Sequence, residues 1–95
     1  MIDKNNFSLI QNKIIDFKNL ERGWCYGEGE PFNDAIINKA LELHNEILEK
    51  DFIETDAFPG INGEVMLTAY YAEYYFEFTV NLDQSVSIFY EYAHD

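Results

Sequence analysis

The first half of the chain places apolar residues at the spacing of α-helices. Before Leu20, apolar residues recur every three or four positions, at Phe7, Ile10, Ile14 and Phe17. A second stripe follows Asn33, a favoured N-cap residue, and consists of Ile37, Ala40, Leu41, His44, Ile47 and Leu48. The pattern predicts one helix ending at about Leu20, a second helix after Asn33, and a glycine-rich loop over residues 21–33 between them.

From Phe52 the apolar period changes to two, which is typical of strands. A short segment ends at Phe58-Pro59-Gly60, and the Asn62-Gly63 pair that follows is a strong hairpin signal. The residues predicted to face the core are Val65, Leu67 and Ala69, then Tyr74, Phe76, Phe78 and Val80, then Val86, Ile88, Tyr90 and Tyr92. We therefore expect one α+β domain over residues 1–95, with two N-terminal helices packed on a three- to four-stranded antiparallel β-meander.

The charge balance limits the classes of partner. Eighteen acidic residues face six basic ones, and residues 51–95 contain no lysine or arginine. Phosphate backbones and anionic membranes bind clustered basic side chains, so we expect no direct nucleic acid and no membrane partner. A basic protein partner would use this charge, for example a nuclease, a toxin or a nucleic-acid-binding protein. The alternative is that the acidic excess only keeps a small domain soluble.

Two features of the sequence bear on the compartment. The lone Cys25 cannot form an intramolecular disulfide, and the first residues lack the basic and apolar regions of a signal peptide. No apolar run approaches 18 residues. These observations favour a cytoplasmic protein.

Several residues invite a chemical role. Gly27-x-Gly29 precedes a helix, but no strand comes before it and no lysine follows, so a conformational role is favoured over phosphate binding. His44 lies within an apolar stripe and is interpreted as a hydrogen-bonded core histidine. The acids Asp51, Glu54 and Asp56 lack the pattern of a calcium loop and are interpreted as a solvated connector. We predict no catalytic, cofactor-binding or metal-binding residues.

Trp24 lies between the two helix signals. A lone tryptophan there typically closes the core, with its N–H bonded to backbone. We therefore predict that Trp24 is a core residue.

The predicted outer side of the sheet mixes large apolar side chains with carboxylates. Solvent-facing strand positions do not require large aromatic residues, and such a patch often marks an interface. The residues predicted to bind a partner are Glu64, Met66, Tyr70, Glu73, Tyr75, Glu77, Phe89 and Glu91. Two alternatives remain open: the aromatic pairs stabilise the sheet, or a second copy of the chain covers the face.

One loop motif and one hairpin motif resemble a scattered group of short bacterial proteins. The motifs read Leu20-x-x-Gly23-Trp24-x-x-Gly27-x-Gly29-x-Pro31, then, after a helix, Asn62-Gly63-x-Val65-x-Leu67. The chain departs from that group at Ala69, where a second tryptophan is expected, and at Cys25, where a polar residue is expected. Since these proteins mostly have no assigned function, the resemblance implies an α+β fold and a bacterial or phage origin without an activity.

Three hypotheses for function follow. The first is a small acidic inhibitor or neutraliser, such as an immunity protein, an antitoxin or a phage anti-defence protein, that mimics nucleic-acid charge. The second is a structural subunit that forms a homodimer through the aromatic outer side of the sheet and has no inhibitory role. The third, an enzyme, has the least support because no nucleophile, base or cofactor signature is present.

Overall fold

The computed structural model of the protein describes residues 4–50 and 52–92, with side chains from Phe7 onward. Helix α1 spans Lys4–Asp16 and continues into a short 3₁₀ turn, Phe17–Asn19, and helix α2 spans Asp34–Leu48. The strands are β1 (Glu54–Pro59), β2 (Val65–Tyr71), β3 (Tyr74–Val80) and β4 (Val86–Tyr92). They form one antiparallel sheet in the order β1-β2-β3-β4. The α+β class and the four-stranded antiparallel sheet are confirmed.

Helix α2 begins where the sequence predicts it. The Asn33 side chain accepts a hydrogen bond from the Ala35 backbone N–H at 2.7 Å, and Asp34 places a carboxylate in the first turn. Both interactions satisfy the free amides and the positive dipole at a helix N-terminus. Its buried residues are Ile36, Ile37, Ala40, His44 and Ile47. The predicted helix face is therefore the one that enters the core.

The core lies between the helices and one face of the sheet. The helical segments contribute Ile10, Ile14 and Phe17 together with the buried face of α2, and the sheet contributes Ala57, Val65, Leu67, Ala69, Phe78 and Val80. Alternate residues of each strand point to this side, as the two-residue period requires. We call this side of the sheet the helix side and the opposite side the outer face.

The two helices do not cover the whole sheet. Helix α1 packs beside β1 and α2, and α2 lies over β2 and β3. On the helix side of β4, Val86 is half-buried, but Ile88, Tyr90 and Tyr92 are exposed. The expectation that these three residues face the core is wrong because all three are exposed: α2 lies over β2 and β3, and a groove of about 660 Å³ lies between α2 and Ile88. We call Ile88, Tyr90 and Tyr92 the β4 strip.

The loop over residues 21–33 is compact. Its Tyr26-Gly27 tip reverses the chain, and Cys25 and Glu28 exchange two backbone hydrogen bonds below it. The Trp24 indole N–H donates to the Glu30 carbonyl at 2.9 Å. The ring is partly buried and packs against the edge of the core, so the prediction of a core tryptophan is correct only in part. The expected bond from its N–H to backbone is present.

The three hairpin turns differ in length. Asn62-Gly63 lies in the β1–β2 turn, as predicted, and Gly63 adopts a positive φ of 96°. Between β2 and β3 only Ala72 and Glu73 intervene, whereas residues 81–85 join β3 to β4. In this last turn the Asn81 N–H donates to the Ser85 carbonyl at 2.8 Å. That bond determines which residues of β4 form backbone hydrogen bonds with β3 and which direct their backbone groups away from it.

Candidate interaction surface on the sheet

Strand register arranges the outer face as three rows that cross all four strands. One row reads Glu54, Tyr70, Tyr75, Glu91; the next reads Asp56, Thr68, Glu77, Phe89; and the third reads Phe58, Met66, Thr79, Ser87. Neighbours within a row have Cβ atoms roughly 5 Å apart, so their side chains contact one another. The face thus has a continuous group of large apolar and phenolic side chains with four carboxylates among them.

Tyr70 and Tyr75 form the centre of this face. Their ring centroids are 5.2 Å apart, and the Tyr75 hydroxyl donates to Glu77 Oε2 at 3.0 Å. Partial burial, the bond to Glu77 and the surrounding negative charge raise the pKa of Tyr75 to about 12. The phenol therefore stays neutral at physiological pH and acts as a hydrogen-bond donor. Because Glu77 orients it, the ring has little freedom to lose on binding.

A groove of about 790 Å³ extends the outer face towards α1. Leu9 and Lys13 of α1 form one wall, and Phe58, Tyr70 and Tyr75 are among the sheet residues that line the other. The Lys13 ammonium donates to Asp56 Oδ1 at 2.8 Å and lies 4.7 Å from the centroid of the Phe58 ring. Lys13 of α1 therefore neutralises the Asp56 carboxylate at the β1 end of the outer face.

Six of the eight residues predicted to bind a partner lie together on the outer face. They are Met66, Tyr70, Tyr75, Glu77, Phe89 and Glu91. Tyr70 is 41% exposed and Phe89 is 52% exposed, so both are accessible to a partner.

The structure places the other two elsewhere. Glu64 precedes β2, and its Oε1 accepts a hydrogen bond from the Asn62 backbone N–H at 3.0 Å, which closes the β1–β2 turn. Glu73 lies in the β2–β3 turn and accepts a hydrogen bond from the hydroxyl of Tyr92, a residue of the β4 strip. The alternation rule fails for Glu73 because a turn residue has left the strand's pleat.

Three residues of the outer face were missed by the sequence analysis. Glu54, Asp56 and Phe58 belong to β1 and point to the same side as Tyr70 and Met66. The interpretation of Glu54 and Asp56 as parts of a connector is wrong, and Asp51 lies outside the described residues. A short strand-like segment ending at Phe58 was predicted, but its residues were not assigned to the two sides of the sheet, although Thr55 and Ala57 alternate with these three residues.

The interpretation of His44 as a hydrogen-bonded core histidine is confirmed. The ring is fully buried, its Nδ1 accepts from Gln11 Nε2 at 2.6 Å, and its Nε2 donates to Thr55 Oγ1 at 3.0 Å. Phe7 stacks on the imidazole with a centroid distance of 5.5 Å. Burial lowers the pKa of His44 to about 4. Both nitrogens are engaged inside the protein, so His44 acts as a structural contact.

Comparisons with protein-family models, with curated proteins and with solved structures found no match to this chain. Neither described helix has the length and apolar character needed to cross a membrane.

Proposed function

We propose that the protein is a small acidic protein-binding module that occupies a basic surface of another protein through its outer face. The observation that supports this most strongly is the row Glu54, Tyr70, Tyr75, Glu91, in which two paired tyrosines lie between two carboxylates. Such an arrangement suits a partner that presents lysine or arginine around an apolar contact. The module acts by occupancy and catalyses no reaction.

The charge distribution supports a basic partner. Residues 51–95 contain nine acidic and no basic residues, whereas residues 1–50 contain nine acidic and six basic residues, giving net charges of −9 and −3. The sheet half of the chain therefore carries most of the total of −12. A one-signed field of this kind attracts an oppositely charged surface and raises the association rate.

The aromatic residues supply the contact that holds the partner. Tyrosine and phenylalanine offer a large area at low conformational cost, and exposed aromatic side chains are enriched at binding hot spots. Tyr70 and Tyr75 are already ordered against each other and against Glu77. The carboxylates then serve mainly for attraction and orientation, and the rings for residence time.

An inhibitor or neutraliser fits these properties best. A protein that binds nucleic acid has a basic surface, and an acidic module that occupies that surface blocks access by the natural polyanion. Immunity proteins, antitoxins and phage anti-defence proteins are the classes in which such blocking is the whole function. The resemblance to short bacterial proteins is compatible with that proposal.

Affinity capture from the native host, with a wild-type bait and two variant baits that have the same net charge as each other, tests the proposal. One bait is the wild type, and a second has Glu77→Lys with Glu91→Lys on the outer face. A third has Glu21→Lys with Glu49→Lys, two exposed acids of the helical half. We expect a basic protein that elutes with salt to bind the first and third baits and to be lost from the second. Equal capture by all three, or equal loss from both variants, would remove the outer face as the binding site.

A further inference from the structure

Strand β4 has large exposed apolar side chains on both sides of the sheet. On the helix side Ile88 is 62% and Tyr90 63% exposed, and on the outer face Phe89 is 52% exposed. It is also the last strand of the sheet order, so its far edge has no strand beside it among the described residues. Exposed apolar edge strands promote pairing with another chain unless the sequence blocks it.

The opposite edge of the sheet contains the features that block such pairing. Strand β1 is a residue shorter than β4, ends at Pro59 and has carboxylates at Glu54 and Asp56. Helix α1 packs beside it, and Lys13 bonds to Asp56 across that edge. Strand β4 has no proline and no lysine, and Glu91 is its only charged residue. One edge is protected and the other is left open.

The backbone of β4 offers hydrogen-bonding groups at this open edge. In an antiparallel pair, residues alternate between those that bond to the neighbouring strand and those whose N–H and C=O point away. The Asn81 N–H bonds to the Ser85 carbonyl, and the register pairs Val80 with Val86. By alternation, Ser87 and Phe89 bond to β3, and Val86, Ile88 and Tyr90 direct their N–H and C=O groups outwards.

We propose that β4 pairs in antiparallel fashion with β4 of a second copy of this chain, with the two-fold axis at Phe89. In that register Ile88 lies opposite the partner's Tyr90, and both use their outward backbone groups. Phe89 lies opposite the partner's Phe89 on the outer face. The two sheets become one sheet of eight strands. This proposal does not depend on the proposed function.

In this register the side chains of β4 are compatible with those that they face on β4 of the second copy. On the helix side the facing positions are apolar or aromatic, and on the outer face Ser87 lies opposite the partner's Glu91. No two carboxylates face each other, and directly opposed like charges would destabilise the pair. The two outer faces also become continuous, so that a dimer would present two copies of the Tyr70–Tyr75 pair on one surface.

The strength of the dimer can be bounded from the exposed area. A large apolar or aromatic side chain covers roughly 150 to 250 Å², and three are about half exposed on β4, which gives roughly 300 Å² of apolar surface per copy. A standard stable interface buries about 800 Å² per partner. Because the area is smaller than that, we expect a weak dimer whose population rises with protein concentration. Because both copies have a net charge of −12, salt should strengthen this dimer by screening their repulsion.

Sedimentation velocity over protein concentrations from about 1 µM to about 1 mM tests the association directly. Ile88→Pro removes an outward N–H and leaves the bonds from β4 to β3 intact, and Ile88→Ala is its control because it shortens the same side chain and keeps the N–H. We expect Ile88→Pro to weaken the dimer at least about tenfold more than Ile88→Ala does. Equal effects of the two variants would overturn backbone pairing at this edge.

A cross-linking experiment tests the register. In a Cys25→Ser background, Phe89→Cys places two thiols across the two-fold axis, where the strand positions are close enough for a disulfide. Ser87→Cys is the matched control, since Ser87 lies opposite Glu91 instead of its own copy. We expect a covalent dimer with Phe89→Cys and little with Ser87→Cys. A wild type that stays monomeric at all concentrations and salt levels, or equal cross-linking by both cysteines, would overturn the proposal.

Discussion

The imidazole of His44 in α2 donates a hydrogen bond to the hydroxyl of Thr55 in β1, with 3.0 Å between Nε2 and Oγ1. Its other nitrogen accepts a hydrogen bond from Gln11 in α1. One buried side chain therefore links both helices to the first strand. A protonated ring would present an N–H to the Gln11 amide N–H, so the neutral form is the one this site accommodates.

The pKa of His44 predicts how stability depends on pH. The pKa falls from 6.5 in the unfolded chain to about 4 in the folded protein, so the unfolded state binds the proton first as pH decreases. Well above pH 6.5, His44 does not change the free energy of unfolding. As pH falls from 6.5 to about 4, protonation of this residue in the unfolded chain lowers that free energy, and below about pH 4 it lowers it no further. Between pH 7 and pH 5 the loss is about 2 kcal/mol. Urea melts should show this loss in the wild type and not in His44→Gln. Parallel pH profiles of the two proteins would contradict it.

Gly29 is predicted to be intolerant of a side chain, for two reasons. Its φ is +108°, and a Cβ there would lie 2.6 Å from Nε1 of Trp24. Gly27 has a φ of +89° with no atom within 4 Å, so it shares the backbone strain without the clash. We expect Gly27→Ala to cost about 1 kcal/mol and Gly29→Ala at least about 2 kcal/mol. Chemical melts followed by the fluorescence of the single tryptophan measure both, and equal costs would contradict the contact.

Trp24→Ala is predicted to be only moderately destabilising. A fully buried tryptophan would cost about 3 to 5 kcal/mol, but this ring is half-buried, so we expect about 2 kcal/mol. Trp24→Phe, which keeps an aromatic ring and loses the bond to the Glu30 carbonyl, should cost about 1 kcal/mol. Denaturation midpoints give both values. A loss of unfolding free energy of about 3 to 5 kcal/mol for Trp24→Ala would contradict the half-buried position of the ring.

Lys13 is predicted to weaken binding of a basic partner, because its ammonium neutralises Asp56 at the edge of the outer face. Lys13→Gln should therefore raise the association rate about two- to fourfold at low salt. Lys18→Gln changes the net charge equally but lies beside Asp34 at the start of α2, so it should have a smaller effect. Surface-binding kinetics with the partner captured from the host compare the two, and equal rates would contradict the local role of Lys13.

The sequence predicts which side of the sheet a side chain faces better than it predicts whether a helix covers that side. Alternation correctly assigned Phe78 and Val80 to one side of β3 and Tyr75 and Glu77 to the other, because the pleat fixes this by geometry. It could not show that the helix side of β4 is uncovered, since that depends on where α2 lies relative to the sheet. For this reason the sequence pattern predicts Ile88 and Tyr90 to be core residues, although both are exposed.

The candidate site was partly predictable for the same reason. Tyr70, Tyr75 and Glu91 were assigned to one face and do share a row. The partner of Glu73 in the turn depends on a contact between residues 19 positions apart, which no local pattern contains.

The most direct test of the outer face as the binding surface is the association rate of the captured partner as a function of salt concentration. We expect Glu77→Lys with Glu91→Lys to lower the rate about tenfold at low salt and to flatten its salt dependence, whereas Glu21→Lys with Glu49→Lys, with the same net charge, should leave both near wild type. Tyr75→Ser in the same series should mainly speed dissociation. If the two charge variants have the same rates and the same salt slopes, the binding surface is not the outer face.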